Sequence, residues 1–567
     1  MPGAGTVRTF ADRLRPLAAD RSGGFAFVDS ARRERYFCFA DLHAEATRRA
    51  GLLRAAGFRR GDRIGLVAPD EAEMVLGFLG MVLAGLVPVL IAPRHVRRTD
   101  GLAPAQLDHI LATSGAAAIL ADPASAADLE GRCGAARLLR PEAIFAAGRT
   151  APIPDEPDAD PDAPCFLQYT SGSTGRPKGT IVTHRNLLAA TALCADSARR
   201  RDGAPDHVVS WLPLYHDLGL IGFCLSPLAV ATPATLLSPG LFARRPKAWL
   251  EAIAARGATI TGAPNFAFDF VLRRLRPADV EGLDLRSLRV LFCGAEPIRL
   301  ASFEAFAERL HPAGFDPDCF MPCYGLAEAT LAVSIHPRDE PTRADTLSAG
   351  ALREGQAKPA APGERARVVV SCGPPVSGHA VEIVDERAVP LPEGRVGEIR
   401  VRGPAVSPGY FGDPAATAES WRDGWLMTGD LGYLRDGRLH VCGRVKDLVI
   451  VRGGNYHPQE LEWAAERVEG LRGRIAAFPI DRDGDEAFAV VAEAPAGSDR
   501  EALAAAVAEA ITREIGVTPA DVRIVPPGTV PLTTSGKVQR RQVRTAYEAG
   551  ALPGAFPMPS PGMAAVQ

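Results

Sequence analysis

The chain has 567 residues, 47% hydrophobic and 23% charged, a globular balance too long for one core and suited to about three or four domains or subdomains. Formal net charge is −3, from 64 Lys and Arg against 67 Asp and Glu, so no basic field points to nucleic acid or an anionic membrane. The 10 cysteines show no paired CxxC pattern, since Cys319 and Cys323 lack a second ligand pair; reduced thiols of a cytoplasmic protein are expected rather than a zinc cluster.

In chain order, residues 1–8 carry no apolar signal core, so secretion is not expected. Residues 24–28 and 35–39 read as short strands, Asp41 as the cap of a helix running past Gly51, and 62–68 as a strand. From Met74 to Pro93 no residue is charged, but Gly85 and Pro88 interrupt the run. It predicts a buried helix over 72–84 and a strand over 87–91, not a stable membrane span. A helix at 107–112 and a strand at 117–120 continue an alternation that predicts parallel α/β layers.

A Pro-, Asp- and Ala-rich loop at 151–164 leads into Tyr169-Thr170-Ser171-Gly172-Ser173-Thr174-Gly175-Arg176-Pro177-Lys178-Gly179, set between a predicted strand at 165–169 and a predicted helix at 186–193. Hydroxyls and backbone N–H groups donate hydrogen bonds, and glycine lets the backbone approach a ligand, so this composition suits a cradle for phosphate oxygens. A plain polar turn has the same composition. Lys178 follows proline and does not open a Gly-Lys-Ser/Thr triplet, which excludes a Walker A loop.

Further on, His216 and Asp217 sit in an apolar run at 210–222, where a histidine is either a hydrogen-bonded core residue or part of a site. The segments 258–264 and 290–297 end predicted strands in small residues and proline, at the edge where open α/β sheets bind ligands. Within 322–330, Tyr324 has the flat face to stack a base and Glu328 the carboxylate to hold Mg²⁺, though a turn with a capping carboxylate reads as well. The text loosens over 336–366, with one helical hint near 346–354, before strands at 367–373, 379–384 and 397–402 predict a small β-subdomain. From about Asp447 a smaller α+β domain follows, with Pro458 at a helix start and an Ala-rich helix at 499–515. Lys537 lies on a hydroxyl-rich loop, where a solvated surface lysine is the plainer reading, and 552–567 is expected to be a disordered tail.

Taken together, the 169–179 loop, Tyr215-His216-Asp217, Tyr324-Gly325-Leu326-Ala327-Glu328, Thr428-Gly429-Asp430, Gly443-Arg444-Val445-Lys446-Asp447 and Gly536-Lys537 resemble, in order, the motifs of the adenylate-forming superfamily of acyl-CoA synthetases, luciferases and adenylation domains. The resemblance covers nearly the whole chain. It implies an α/β fold: a large N-terminal domain of stacked α/β sheets plus a β-subdomain over 1–445, then a small mobile α+β domain over 446–551 beyond a hinge at Lys446. It also implies ATP and Mg²⁺. Thr170, Ser171, Gly172, Ser173, Thr174 and Gly175 would hold the β- and γ-phosphates with Lys178 as a mobile cation, and Thr170 would also lie near the α-phosphate. Tyr324, with Gly325 and Leu326, would take adenine, flanked by Gly294, Ala295 and Glu296. Asp430 would accept the ribose hydroxyls and Arg444 would support the ribose and phosphate side. Glu328 would bind the metal, His216 would border the acyl carboxylate, and Lys537 would bridge carboxylate and α-phosphate in the transition state.

Within the superfamily the chain looks most like the fatty acyl-AMP ligases. Local runs at 210–222, 263–269, 293–297 and 326–331 carry this, together with the irregular 336–366 segment, which matches an insertion that CoA ligases lack. The resemblance implies a fatty acid substrate and transfer of its acyl group to the phosphopantetheine thiol of a separate holo acyl carrier protein of polyketide synthase or peptide synthetase type. One departure is Asn455-Tyr456-His457-Pro458, where the subfamily more often reads Asn-His-Tyr-Pro. The rival readings are a fatty acyl-CoA synthetase and a catalytically silent acyl- or nucleotide-binding relative; the retained Lys537, Glu328 and Asp430 argue against the second.

Overall fold

A computed structural model describes residues 7–68, 70–93, 104–132, 134, 136–145, 150, 152, 160–170, 177–199, 203–451, 454–482, 485–533 and 537–553. The expected phosphate-loop residues Ser171, Gly172, Ser173, Thr174 and Gly175, and the expected tail from 554 onward, lie outside them.

Two large, mostly parallel sheets dominate. One has eight strands in the spatial order Ala332–Ile335, Phe320–Gly325, Val290–Cys293, Ile260–Ala263, Val208–Ser210, Ala234–Leu237, Gly24–Val28 and Glu34–Cys38. Its inner pairs are parallel and only its two edge pairs are antiparallel. The other has six strands, in the order Arg137–Leu139, Ala118–Ala121, Arg63–Val67, Val87–Leu90, Pro164–Thr170 and Lys178–Thr183. A single core joins both sheets to the helices between them, through Phe25, Phe166, Leu53, Phe78 and Leu187. Helix Glu71–Leu83 shows why the uncharged run belongs inside: Asp70 caps it by accepting from Glu73 N, and every residue from Ala72 to Val82 except Glu73 is buried. A helix that is apolar all round has no face to offer water. No helix among the described residues is long and apolar enough to cross a membrane.

The β-subdomain pairs Ala380–Val384, Gly397–Arg402, Trp425–Arg435 and Arg438–Arg444, and its core residues Ile383, Val401 and Leu439 pack with Tyr324 and Val333 of the eight-stranded sheet. From Val449 onward a separate core, including Leu461, Phe488, Val490, Val507 and Ile511, holds strands Ile475–Arg482, Asp485–Glu493 and Asp521–Val525 against helices Pro458–Ala465 and Arg500–Ile515.

Three local expectations are corrected. The phosphate loop does not pass from strand to helix: Pro164–Thr170 and Lys178–Thr183 pair antiparallel, with Thr170 opposite Lys178, before helix His184–Ala198 begins. The β-branched run Thr180-Ile181-Val182-Thr183 favours this strand. Helix Phe39–Ala55 is capped by Cys38, whose sulfur accepts from Asp41 N; Asp41 sits in the first turn instead, where its charge favours the helix dipole. The 336–366 segment is not irregular throughout, because Ala344–Ser348 pairs with Ala366–Val370, while helix Ala349–Arg353 falls on the expected helical hint near 346–354. Leu347, Leu352 and Val369 pack there on Tyr433 and Cys442.

Candidate active site

The central parallel strands end at Ser210, Ala263, Cys293 and Gly325, and the loops after them line one cleft of ≈ 1750 Å³ between this sheet edge, the β-subdomain and the small domain. Close backbone approach fixes two of the loop residues. A Cβ at Gly325 would lie 1.8 Å from the Leu331 carbonyl oxygen, and one at Gly294 would lie 2.7 Å from the Cys323 carbonyl oxygen. Ala295 holds a left-handed backbone with φ 69°, a cost that functional loops tolerate when their surroundings fix them.

One end of the cleft gathers Thr170, Lys178 and Glu328. The segment 405–411 wedges between their loops. It donates Ser407 N to the Glu328 carbonyl (2.8 Å) and Phe411 N to the Gly179 carbonyl (2.7 Å), while its Ala405 carbonyl accepts from Thr330 Oγ1 (2.6 Å). This seats Tyr410 centrally: its hydroxyl donates to Glu328 Oε1 at 2.7 Å and its ring lies 4.7 Å from Lys178 Nζ. One positioned carboxylate beside a cation and hydroxyls suits Mg²⁺, which binds through one or two carboxylates plus substrate phosphates.

The other end centres on Asp430, which is 5% exposed. Tyr324 Oη donates to Oδ2 at 2.7 Å and Arg444 Nε to Oδ1 at 2.8 Å. The ladder explains the meeting, because Asp430 and Arg444 face each other on paired strands. The carboxylate raises the Arg444 guanidinium above its ordinary value, while burial first and then Asp430 push the Tyr324 phenol up. A carboxylate has about four acceptor sites, so room remains for a diol.

Lys537 enters this cleft from the small domain. Its backbone bonds to Thr533, with N donating to Thr533 Oγ1 (3.0 Å) and its carbonyl accepting from Thr533 N (2.7 Å). The side chain meets the water of the cleft yet is walled in by protein. Enclosure and then Arg444 lower its pKa, against the opposing pull of Asp217, Glu296 and Asp430. Behind it, Arg540 grips Glu462 through two 2.6 Å contacts, and Arg299 of the large domain reaches Glu466 at 3.3 Å.

His216 lines the cleft beside Tyr215, their rings 4.9 Å apart. Its neighbour Asp217 caps the helical run Leu218–Leu225, accepting from Leu218 N at 2.8 Å, and is one of the residues whose charge acts on Lys537. Burial raises the Asp217 carboxyl. Glu296, expected beside adenine, accepts from Phe266 N at 2.5 Å, and burial lifts it from its ordinary 4.5 to about 7 against the pull of Lys537. Below about 4.5 the group is protonated in both states. As pH rises through that window the unfolded chain loses the proton first, so the folded protein loses stability up to about pH 7. Glu296→Gln should therefore gain on the wild type in melting temperature as pH climbs from 4.5 to 7, which a pH series of thermal melts checks.

A second, apolar pocket of ≈ 100 Å³ opens from the cleft, sharing Asp217, Ala295 and Tyr324 with it and continuing between Gly222, Phe223, Phe292 and Leu331. Sequence reasoning missed Tyr410 and passed over Asp217. A hydroxyl-bearing aromatic after Ser407-Pro408-Gly409 gives no spacing signal, whereas Asp217 stood next to the chosen His216.

Residues 17–411 match the AMP-binding enzyme family. The long-chain-fatty-acid–AMP ligase FadD26 of Mycobacterium bovis is 34% identical over 555 residues, covering 91% of each chain. The chain belongs to the fatty acyl-AMP ligases of the AMP-binding, adenylate-forming family. A putative acyl-CoA synthetase of Caulobacter vibrioides is 39% identical over 527 residues, with 90% of each chain covered. A solved structure from studies of the fatty acyl-adenylate ligases of E. coli and L. pneumophila superposes with a TM-score of 0.88 at 34% identity, covering 97% of this chain and 100% of the other. This ligase thus shares its fold with these relatives over nearly its whole length.

Proposed function

We propose that the protein activates a fatty acid with ATP, forming acyl-AMP and pyrophosphate, and passes the acyl group to the phosphopantetheine thiol of a separate carrier protein. The observation that carries the reading is Lys537, a cation delivered by the small domain into a cleft where Asp217, Glu296, Asp430 and Arg444 all act on its charge. Two anions must meet when a carboxylate oxygen attacks the α-phosphorus, so positioned cations and donors do most of the catalysis. Asp430 with Tyr324 and Arg444 receives the ribose and base. Thr170 and Lys178 hold the polyphosphate, and His216 borders the acyl carboxylate as the acyl chain runs into the apolar pocket. Glu328, beside Tyr410 and Lys178, would hold Mg²⁺, which when bound would help neutralise the phosphate oxygens. As the carboxylate–phosphorus bond forms, the bond to pyrophosphate breaks, and Lys537 steadies the charge that develops. Pyrophosphate exchange into ATP that depends on added fatty acid tests this step; exchange independent of acid, or none, contradicts it.

The thiol then attacks the acyl carbonyl and AMP leaves, with the small domain turning about Lys446 so that Lys537 withdraws. A medium-chain-fatty-acid–[acyl-carrier-protein] ligase, JamA of Moorena producens, at 34% identity over 87% of each chain, supports a carrier as acceptor. Thiols left free at all nine described cysteines fit a reducing cytoplasm.

Preference for a carrier over free CoA finds support in the 336–366 segment. Arg353 Nη2 donates to the Ile515 carbonyl at 2.7 Å and Arg365 Nη2 to the Arg513 carbonyl at 3.0 Å. Both are at the C-terminal end of helix Arg500–Ile515, where carbonyls lack helical partners and the dipole favours cations. The segment thereby holds the small domain in its adenylating position. Arg353→Ala combined with Arg365→Ala should raise acyl-CoA formation about tenfold, at about 1.4 kcal/mol of lost docking, with acyl-AMP formation changed little. A coupled CoA assay reads this.

A further inference from the structure

The apolar pocket does not end in apolar residues. Its inner end reaches Asp206, beside Ala198, Val208 and Ile260. Val208 pairs with Ile260 and Ile260 with Val290, so Asp206 and Arg289 sit just beyond the N-terminal edge of the sheet, whereas Ala295 lies past its opposite edge. The pocket therefore crosses the full width of the sheet, roughly 20 Å at about 3.3 Å per residue. At its floor Asp206 Oδ1 accepts from Thr259 Oγ1 at 2.6 Å and from Arg289 Nη2 at 2.5 Å. Among the described residues both of these bonds fall on the same oxygen. Arg289 also donates to the Ala198 carbonyl at 2.8 Å, yet its Nε and Nη1 are buried with no acceptor among the described residues. Both side chains are mostly covered, 15% exposed for Asp206 and 19% for Arg289.

An alkyl chain filling this pocket would press a methyl group against the Asp206 carboxylate and strip its water, which costs free energy because nothing replaces the lost hydrogen bonds. A hydroxyl removes that cost. It donates to the Asp206 carboxylate, whose second oxygen has acceptor capacity left over. We propose that the preferred acid carries a hydroxyl at the end of its chain far from the carboxyl group, and that Asp206, held by Arg289 and Thr259, receives it. This rests on the adenylation reading and names its substrate class.

The test gives the full-length protein ATP, Mg²⁺ and pairs of acids of equal length, one saturated and one ω-hydroxylated, in a series of increasing length, and follows pyrophosphate release. At the length that spans the pocket, kcat/KM for the hydroxy acid should exceed that of its saturated partner roughly ten- to hundredfold. Pairs too short to reach Asp206 should show no such advantage. Asp206→Leu should reverse the preference at the spanning length, and Asp206→Asn, which keeps the size and can still accept from Arg289 and Thr259, should shrink it. Should Asp206→Leu fail to fold, as thermal melting would reveal, the wild-type pairs and Asp206→Asn still decide. Equal or lower kcat/KM for the hydroxy acid at every length overturns the proposal while leaving adenylation in place. No pyrophosphate from any acid would instead overturn the adenylation reading.

Discussion

Lys537→Ala is expected to slow acid-dependent pyrophosphate release by about two to three orders of magnitude, the range seen when one positioned donor to a developing charge is removed, with ATP affinity changed less than about threefold. The asymmetry follows from where the lysine comes from. The ribose and base have their own partners in Asp430, Arg444 and Tyr324 on the large domain, and those contacts exist without Lys537. Lys537 arrives on a loop of the small domain and faces Asp217 and Glu296 at the acyl side of the cleft. Its charge is therefore placed between the acyl side of the cleft and Arg444 on the ribose side, where the attacking carboxylate would meet the α-phosphate. Single-turnover kinetics beside equilibrium nucleotide binding separates the two quantities, and a parallel fall in both would contradict a role in the transition state.

Asp430→Ala should act in the opposite way, raising KM for ATP by about thirty- to hundredfold, or about 2–3 kcal/mol, the scale of charge-assisted hydrogen bonds. It should also lower stability, because the buried Tyr324 hydroxyl donates to this carboxylate and would be left without it. An orphaned buried donor costs about 1–3 kcal/mol. Adding Tyr324→Phe to Asp430→Ala removes the orphan, so the double variant should recover melting temperature but not ATP affinity. Recovery of both would mean that Asp430 serves only to hold the tyrosine.

Most of the frame was readable from local pattern. The helix Glu71–Leu83 and the strand Val87–Leu90 follow from an uncharged run broken at Gly85, and Asp499 caps Arg500–Ile515 where an Ala-rich periodicity begins. Strands ending in small residues at Ala263 and Cys293 were also legible as the ligand edge. What escaped was set by partners distant in sequence. The pairing of Thr170 with Lys178 depends on an antiparallel edge pair whose second strand runs directly into a helix. Tyr410 meets Glu328 from 82 positions away, and Arg353 meets Ile515 from 162 away. No spacing rule connects such residues, because only the packing of whole sheets and domains brings them together. Asp206 is a further case, an ordinary acidic residue in sequence that becomes the floor of a pocket once strand register places it.

Mass spectrometry of the products formed from ATP, Mg²⁺ and a panel of fatty acids, with holo carrier protein and free CoA offered in equal amounts, tests the central claim most directly. Acyl-AMP forming without any acceptor, followed by acyl-carrier protein far in excess of acyl-CoA, is the predicted result. Rapid formation of acyl-CoA by the intact protein, or the absence of acyl-AMP with every acid, would contradict it.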